Sequence, residues 1–128
     1  MKYMLLCYDD EAAWALAGEA VHRAAMQEAV GLCHEIHAKG QFVTASPLHP
    51  VATAVSVRIR GGEKLVTDGP FAETREQLGG YYIIDVPDLD AAIAIAGRHP
   101  GARLGTVEIR PIVELGNLPL PSKTNGDA

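Results

Sequence analysis

Between Lys2 and Tyr8 apolar side chains fill both alternating sets, with Tyr3, Leu5 and Cys7 on one face and Met4, Leu6 and Tyr8 on the other. That pattern predicts a strand in the middle of a sheet. Asp9-Asp10-Glu11 closes it, and the following alanine-rich stretch predicts a short helical turn carrying Trp14. From Glu19 to Lys39, Val21, Ala25, Ala29, Leu32 and Ile36 recur at steps of three and four, which predicts an amphipathic helix stopped by Gly40. A strand is expected in Gln41–Leu48, followed by a loop around His49 between Pro47 and Pro50. In Thr53–Arg60, Val55, Val57 and Ile59 alternate with Ser56, Arg58 and Arg60, so the three aliphatic residues are expected to face inward. Gly61-Gly62 then folds the chain back as a hairpin.

Downstream, Gly80–Val86 predicts another strand. Asp88 is placed as the N-cap of a helix through His99, with Leu89, Ala92, Ile93 and Ala96 as its core stripe, and Pro100-Gly101 ends it. Thr106–Ile112 predicts the last strand, with Val107 and Ile109 inward. The order of these elements gives an α+β fold. It is a ferredoxin-like sandwich with a mainly antiparallel sheet, two helices on one face and an inserted β-hairpin. The second sheet face then carries uncovered Tyr, Met, Leu and Ile side chains, and a homodimer is expected to bury it. One domain over residues 1–113 is expected, with residues 114–128 as a flexible or partner-wrapping tail.

Composition narrows the partners. Eleven Lys and Arg stand against 16 Asp and Glu, for a net charge of -5. Nucleic acid is therefore not expected, because phosphate binding needs a basic face. No apolar run approaches the roughly 20 residues of a membrane span, and the N-terminus lacks the pattern of a signal peptide. A cytoplasmic location follows. Cys7 and Cys33 lie in apolar segments without CxxC spacing and read as buried thiols. His34 and His37 have one helical spacing that suits a metal, but no carboxylate pattern accompanies them, so neither a metal nor a cofactor is expected.

The opening K-Y-M-L-L-C-Y-D-D-E-A-A-W, the segment T-D-G-P-F-A-E-T-R-E-Q-L-G-G-Y from Thr67 and the closing V-E-I-R-P-I resemble the DGPF type of YCII-related proteins. The resemblance spans about residues 1–113. It implies a bacterial, cytoplasmic, dimeric α/β barrel. It also implies a cleft in which related proteins use a His–Asp pair, and one branch member removes chloride from a chlorinated hydroquinone. Proximity to alternative sigma factors in this branch implies a regulatory role as another reading. The expected helix histidine lies eleven residues before the closing glycine, and here that position is Ala29.

Candidate acid–base groups are Asp68, His49 and His22. Asp68 opens the Asp68-Gly69-Pro70 turn, where its carboxylate either caps its own turn or faces a cleft. His49 lies on a loop, and His22 lies two turns, roughly 10 Å, from position 29. Tyr8, Thr67, Gly69, Pro70, Phe71 and Tyr82 are the candidate ligand contacts. Tyr81 and Tyr82 point to opposite sheet faces. Two functions follow: a cofactor-free lyase or isomerase working by acid–base chemistry, and a dimer that binds a small molecule or regulatory protein without catalysis.

Overall fold

A computed structural model describes residues 1–121. It is mixed α+β. Strands β1 (Lys2–Asp9), β2 (Phe42–Pro47), β5 (Gln77–Asp85) and β6 (Gly105–Pro111) form one antiparallel sheet in the order β2-β5-β1-β6. Strands β3 (Val55–Arg60) and β4 (Glu63–Asp68) pair only with each other. The helices are α1 (Glu11–Ala17), α2 (Glu19–Ala38), α3 (Leu89–Arg98) and the short α4 (Gly101–Leu104). The sequence pattern did not predict α4. No closed barrel forms within the described chain. The part of the expected tail that begins at Ser122 lies outside the described residues.

The core lies between one sheet face and α2 and α3. Tyr3, Leu5 and Cys7 of β1 and Tyr82 and Ile84 of β5 meet Leu32 and Ile36 of α2 and Ala92, Ile95 and Ala96 of α3. Leu5, Ile36 and Ile84 are fully buried, and each such side chain contributes about 1.5–3 kcal/mol by leaving water. Asp88 caps α3 as expected, its Oδ1 accepting from the Ala91 amide at 2.9 Å. The α3 stripe is rotated from the sequence expectation. Ala92, Ile95 and Ala96 are buried, whereas Leu89 and Ile93 are about half exposed. Ile95 takes the central place because α3 leans on β6, with its Leu89–Ile93 edge turned outward.

Helix α2 is buried only over its C-terminal half. Leu32 and Ile36 are inside, while Val21 is exposed. Glu28–Arg103 at 2.7 Å and Glu35–Arg98 tie the middle and the C-terminal end of α2 to α4 and α3. The N-terminal half stands off the sheet, and the space beneath it is a cavity.

The hairpin corrects another expectation. Gly61 and Gly62, both at positive φ, make the tight two-residue turn that this twist demands. Val55, Val57 and Ile59 do not face inward: each is 58–60% exposed, and Val66, opposite Val57, is 60% exposed. Their alternation is real, but none of the described helices or strands of the main sheet buries them.

Candidate functional site

A cavity of about 190 Å³ lies between the ends of β1 and β5, the first and middle turns of α2, and the His99–Gly101 corner. Its walls are mostly apolar, supplied by Ala25, Met26, Ala29 and Val30 of α2 and by Ala45 and Pro47 of β2. The inner end is formed by Cys7, Cys33, Tyr82 and His99, and the outer end by Tyr8, Asp9, Trp14 and His22. No lysine or arginine lines it among the described residues.

A bulge builds the outer end. Cys7 pairs with Gly80 and Tyr8 with Leu78, so Gly79 is the extra residue on β5. Asp9 follows Cys7 by two positions and shares its face, which turns the carboxylate into the cavity. There it lies against Gly79, where a β-carbon would stand 2.9 Å from both carboxylate oxygens. Burial raises the Asp9 pKa above the ordinary carboxylate value, the Trp14 indole N–H lowers it, Glu11 and Asp10 raise it, and His22 lowers it. The indole N–H is itself buried and reaches no acceptor with full hydrogen-bond geometry. Trp14 also meets the His22 ring edge to face, at 5.4 Å between centroids.

The inner end is chemically quiet. The Gly101 amide donates to His99 Nδ1 at 3.0 Å, which leaves Nε2 as the protonated nitrogen of the neutral ring, 4.0 Å from Cys7 Sγ. Burial lowers the His99 pKa, against the pull of Glu28, so the ring stays neutral. Burial, reinforced by the Asp9 charge, pushes the Cys7 thiol up to about 11, and a thiol so protonated is a poor nucleophile. Tyr82 donates to the Ala29 carbonyl at 3.3 Å, and its pKa is raised by burial first and then by Cys33.

Helix α1 roofs the outer end without burying a residue of its own. Polar ties hold it. Asp10 caps it through the Ala12 and Ala13 amides and pairs with Arg75 Nε at 3.2 Å, while Glu11 accepts from the Val51 amide at 2.9 Å. The Arg75 guanidinium, with the cap amides, holds Asp10 below the usual carboxylate range.

Of the candidate site residues and tyrosines weighed in the sequence, His22, Tyr8, Tyr81 and Tyr82 line this cavity, and Ala29 stands in its wall. Asp68, Thr67, Gly69, Pro70 and Phe71 do not. They lie at the end of β4 and beyond it, with Asp68 exposed opposite Val55 and Phe71 79% exposed. The Gly69 amide donates to the Ala54 carbonyl, and its own carbonyl accepts from Ser56, which fastens the turn to the hairpin base. His49 is exposed on its loop, also outside the cavity. Tyr82 lies on the helix-covered face, so Tyr81 belongs to the helix-free one. Asp9, Trp14 and His99 went unremarked as site residues. Their sequence signal was an acid just past a central strand, with the chain's one tryptophan five residues on.

No group of three or more His, Cys, Asp or Glu side chains is placed to hold a metal among the described residues. None of the described helices is long and apolar enough to cross a membrane. The model for the YCII-related domain matches residues 1–116. An uncharacterized protein of Rhizobium meliloti (strain 1021) is 34% identical over 114 residues, which cover 88% of this chain and 92% of that protein.

Proposed function

The chain belongs to the YCII-related domain family, and we propose that it binds a small, uncharged organic molecule in the cavity beneath α2 and moves a proton on it through Asp9. The observation that carries this reading is the Asp9 carboxylate, half-buried at the outer end of an otherwise apolar cavity with its pKa raised by that burial. A carboxyl shifted upward holds and releases a proton nearer neutral pH than a solvated one. His22, across Trp14 from Asp9, is the second titratable group at that end and takes the role of exchanging the proton with solvent.

The cavity sets the size and charge of the ligand. A cavity of about 190 Å³ compares with the roughly 150 Å³ that holds a benzene ring in an engineered apolar cavity. One ring with small substituents is the size that suits it. With no cation in the wall and a carboxylate at the outer end, an anionic ligand would enter without a counter-charge. Elimination or isomerisation, which need proton transfer and no cofactor, are the reaction classes in keeping with this lining.

Ala29 supports a second reading. A methyl group stands in the cavity wall where the family resemblance places a histidine, so a chain that binds without turnover is the alternative. A screen of uncharged single-ring compounds separates the two, with binding read by thermal shift and turnover by proton NMR, on the native chain and on Asp9→Asn. The acid–base reading expects turnover that the variant loses while still binding. Binding by the native chain with no turnover of any bound compound would leave the non-catalytic reading.

A homodimer is part of the same proposal. The aliphatic row Val55, Val57, Ile59 and Val66 and the sheet face with Met4, Leu6 and Ile83 are two apolar surfaces that none of the described helices covers. A second copy would bury both, and would complete the barrel that the family resemblance implies. The alternating exposed and apolar character of the hairpin is the support for this reading.

A further inference from the structure

We propose that Trp14 is the positioning residue for Asp9, its indole N–H acting as the donor that orients the carboxylate over the bulge at Gly79. The proposal rests on the reading of Asp9 as the proton-moving group, but its geometry stands apart from any activity. Three observations converge. The Trp14 Nε1 atom is buried and reaches no acceptor with full hydrogen-bond geometry, a state that is unfavourable unless some conformation of the chain relieves it. Asp9 supplies the one carboxylate among the described residues that line the cavity with Trp14, and the indole N–H lowers its pKa against the rise from burial. On its other side the carboxylate fills the space that a side chain on Gly79 would need.

The helix that carries Trp14 is suited to this task. Helix α1 buries none of its own residues, ends at Gly18 with φ 97°, and is held by Asp10–Arg75 and by Glu11 on the Val51 amide. The charged and titratable groups that face Asp9 are Asp10 and Glu11 from α1 and His22 from α2. Asp10 pairs with Arg75, and of the groups that favour the ionised Asp9 carboxylate Trp14 comes before His22 and is the uncharged donor.

The chain has one tryptophan, so its nitrogen-15 proton spectrum holds a single indole cross-peak. That peak is expected to move with pH at the midpoint read from the Asp9 carboxyl carbon, and to lose this movement in Asp9→Asn. Trp14→Phe, which keeps a ring in place, is expected to raise the Asp9 midpoint. An indole peak that titrates identically in Asp9→Asn would be reporting His22 and would overturn the proposal. So would an Asp9 midpoint unchanged in a folded Trp14→Phe. A loss of turnover in Asp9→Asn together with a silent indole peak would sink the positioning role alone and leave the proposed function standing.

Discussion

The Asp9 carboxylate occupies the space that a side chain on Gly79 would need, with both oxygens 2.9 Å from where that β-carbon would be. Gly79 is also the bulged residue of β5, and its φ is not positive. Its glycine is thus explained by close approach alone. Gly79→Ala is expected to fold, at a cost of about 1 kcal/mol, because the end of a side chain can yield. Its larger effect should fall on the cavity. The Asp9 midpoint and any ligand-induced thermal shift should both change, and unaltered values in a folded variant would contradict the placement of Asp9.

Gly105 makes a useful contrast. A β-carbon there would lie 2.1 Å from the Tyr8 carbonyl oxygen, and a backbone atom held in the sheet cannot turn aside. Gly105→Ala should cost about 3 kcal/mol, measured by denaturant unfolding, with β1 and β6 forced apart. A cost as small as that of Gly79→Ala would show that the β1–β6 pairing is looser than described.

The raised pKa of Asp9 makes a statement about stability. Burial disfavours the ionised form in the folded chain, so the folded state binds this proton more tightly than the unfolded state. Between the ordinary carboxylate pKa, near about 4, and the raised folded value, Asp9 therefore costs stability progressively as pH rises. Asp9→Asn should raise the unfolding temperature at pH 7 and give no such gain near about pH 3. Equal gains at both pH values would mean that the effect is not electrostatic.

Cavity and function should also separate at Ala29. Its side chain borders the space beneath α2, and only its carbonyl is engaged, by Tyr82. Ala29→Leu is expected to fill part of the cavity and gain about 0.5–1 kcal/mol in stability, while abolishing the thermal shift from any cavity ligand. Retained binding would place the ligand elsewhere.

The proposed dimer turns on the hairpin. Val57 and Val66 face each other across β3 and β4, and each is 60% exposed. Val57→Lys should leave the monomer fold unchanged and halve the mass measured by light scattering at micromolar concentration. A native chain that is already a monomer there would contradict the dimer.

Much of the fold was legible because it rests on local periodicity. The two-faced apolar pattern of Lys2–Tyr8 marked the central strand, and Asp88 marked the start of α3. Where tertiary placement decides, the pattern misled. Val55, Val57 and Ile59 alternate just as a core strand does, and Val21 continues the stripe of Leu32 and Ile36. Yet both the hairpin and the N-terminal half of α2 stand away from the sheet. The site was harder to read for the same reason. Asp68 drew attention through its turn chemistry, which is local, whereas Asp9 owes its character to a bulge on a strand some 70 residues away in sequence. The T-D-G-P-F segment still bears on the cavity, since Arg75 just beyond it pairs with Asp10 at the head of α1.

The Thr67–Phe71 turn, where the sequence places most of the ligand contacts, does not line the cavity beneath α2, so ligand binding at one can be told from binding at the other. Backbone amide shifts of the native chain, recorded with a compound that raises its unfolding temperature, make the most direct measurement. The cavity account predicts that the largest changes fall on Cys7–Trp14, Ala25–Cys33 and Gly79–Tyr82, with the Trp14 indole peak among them. Changes centred on Thr67–Phe71, with those cavity segments unmoved, would contradict it.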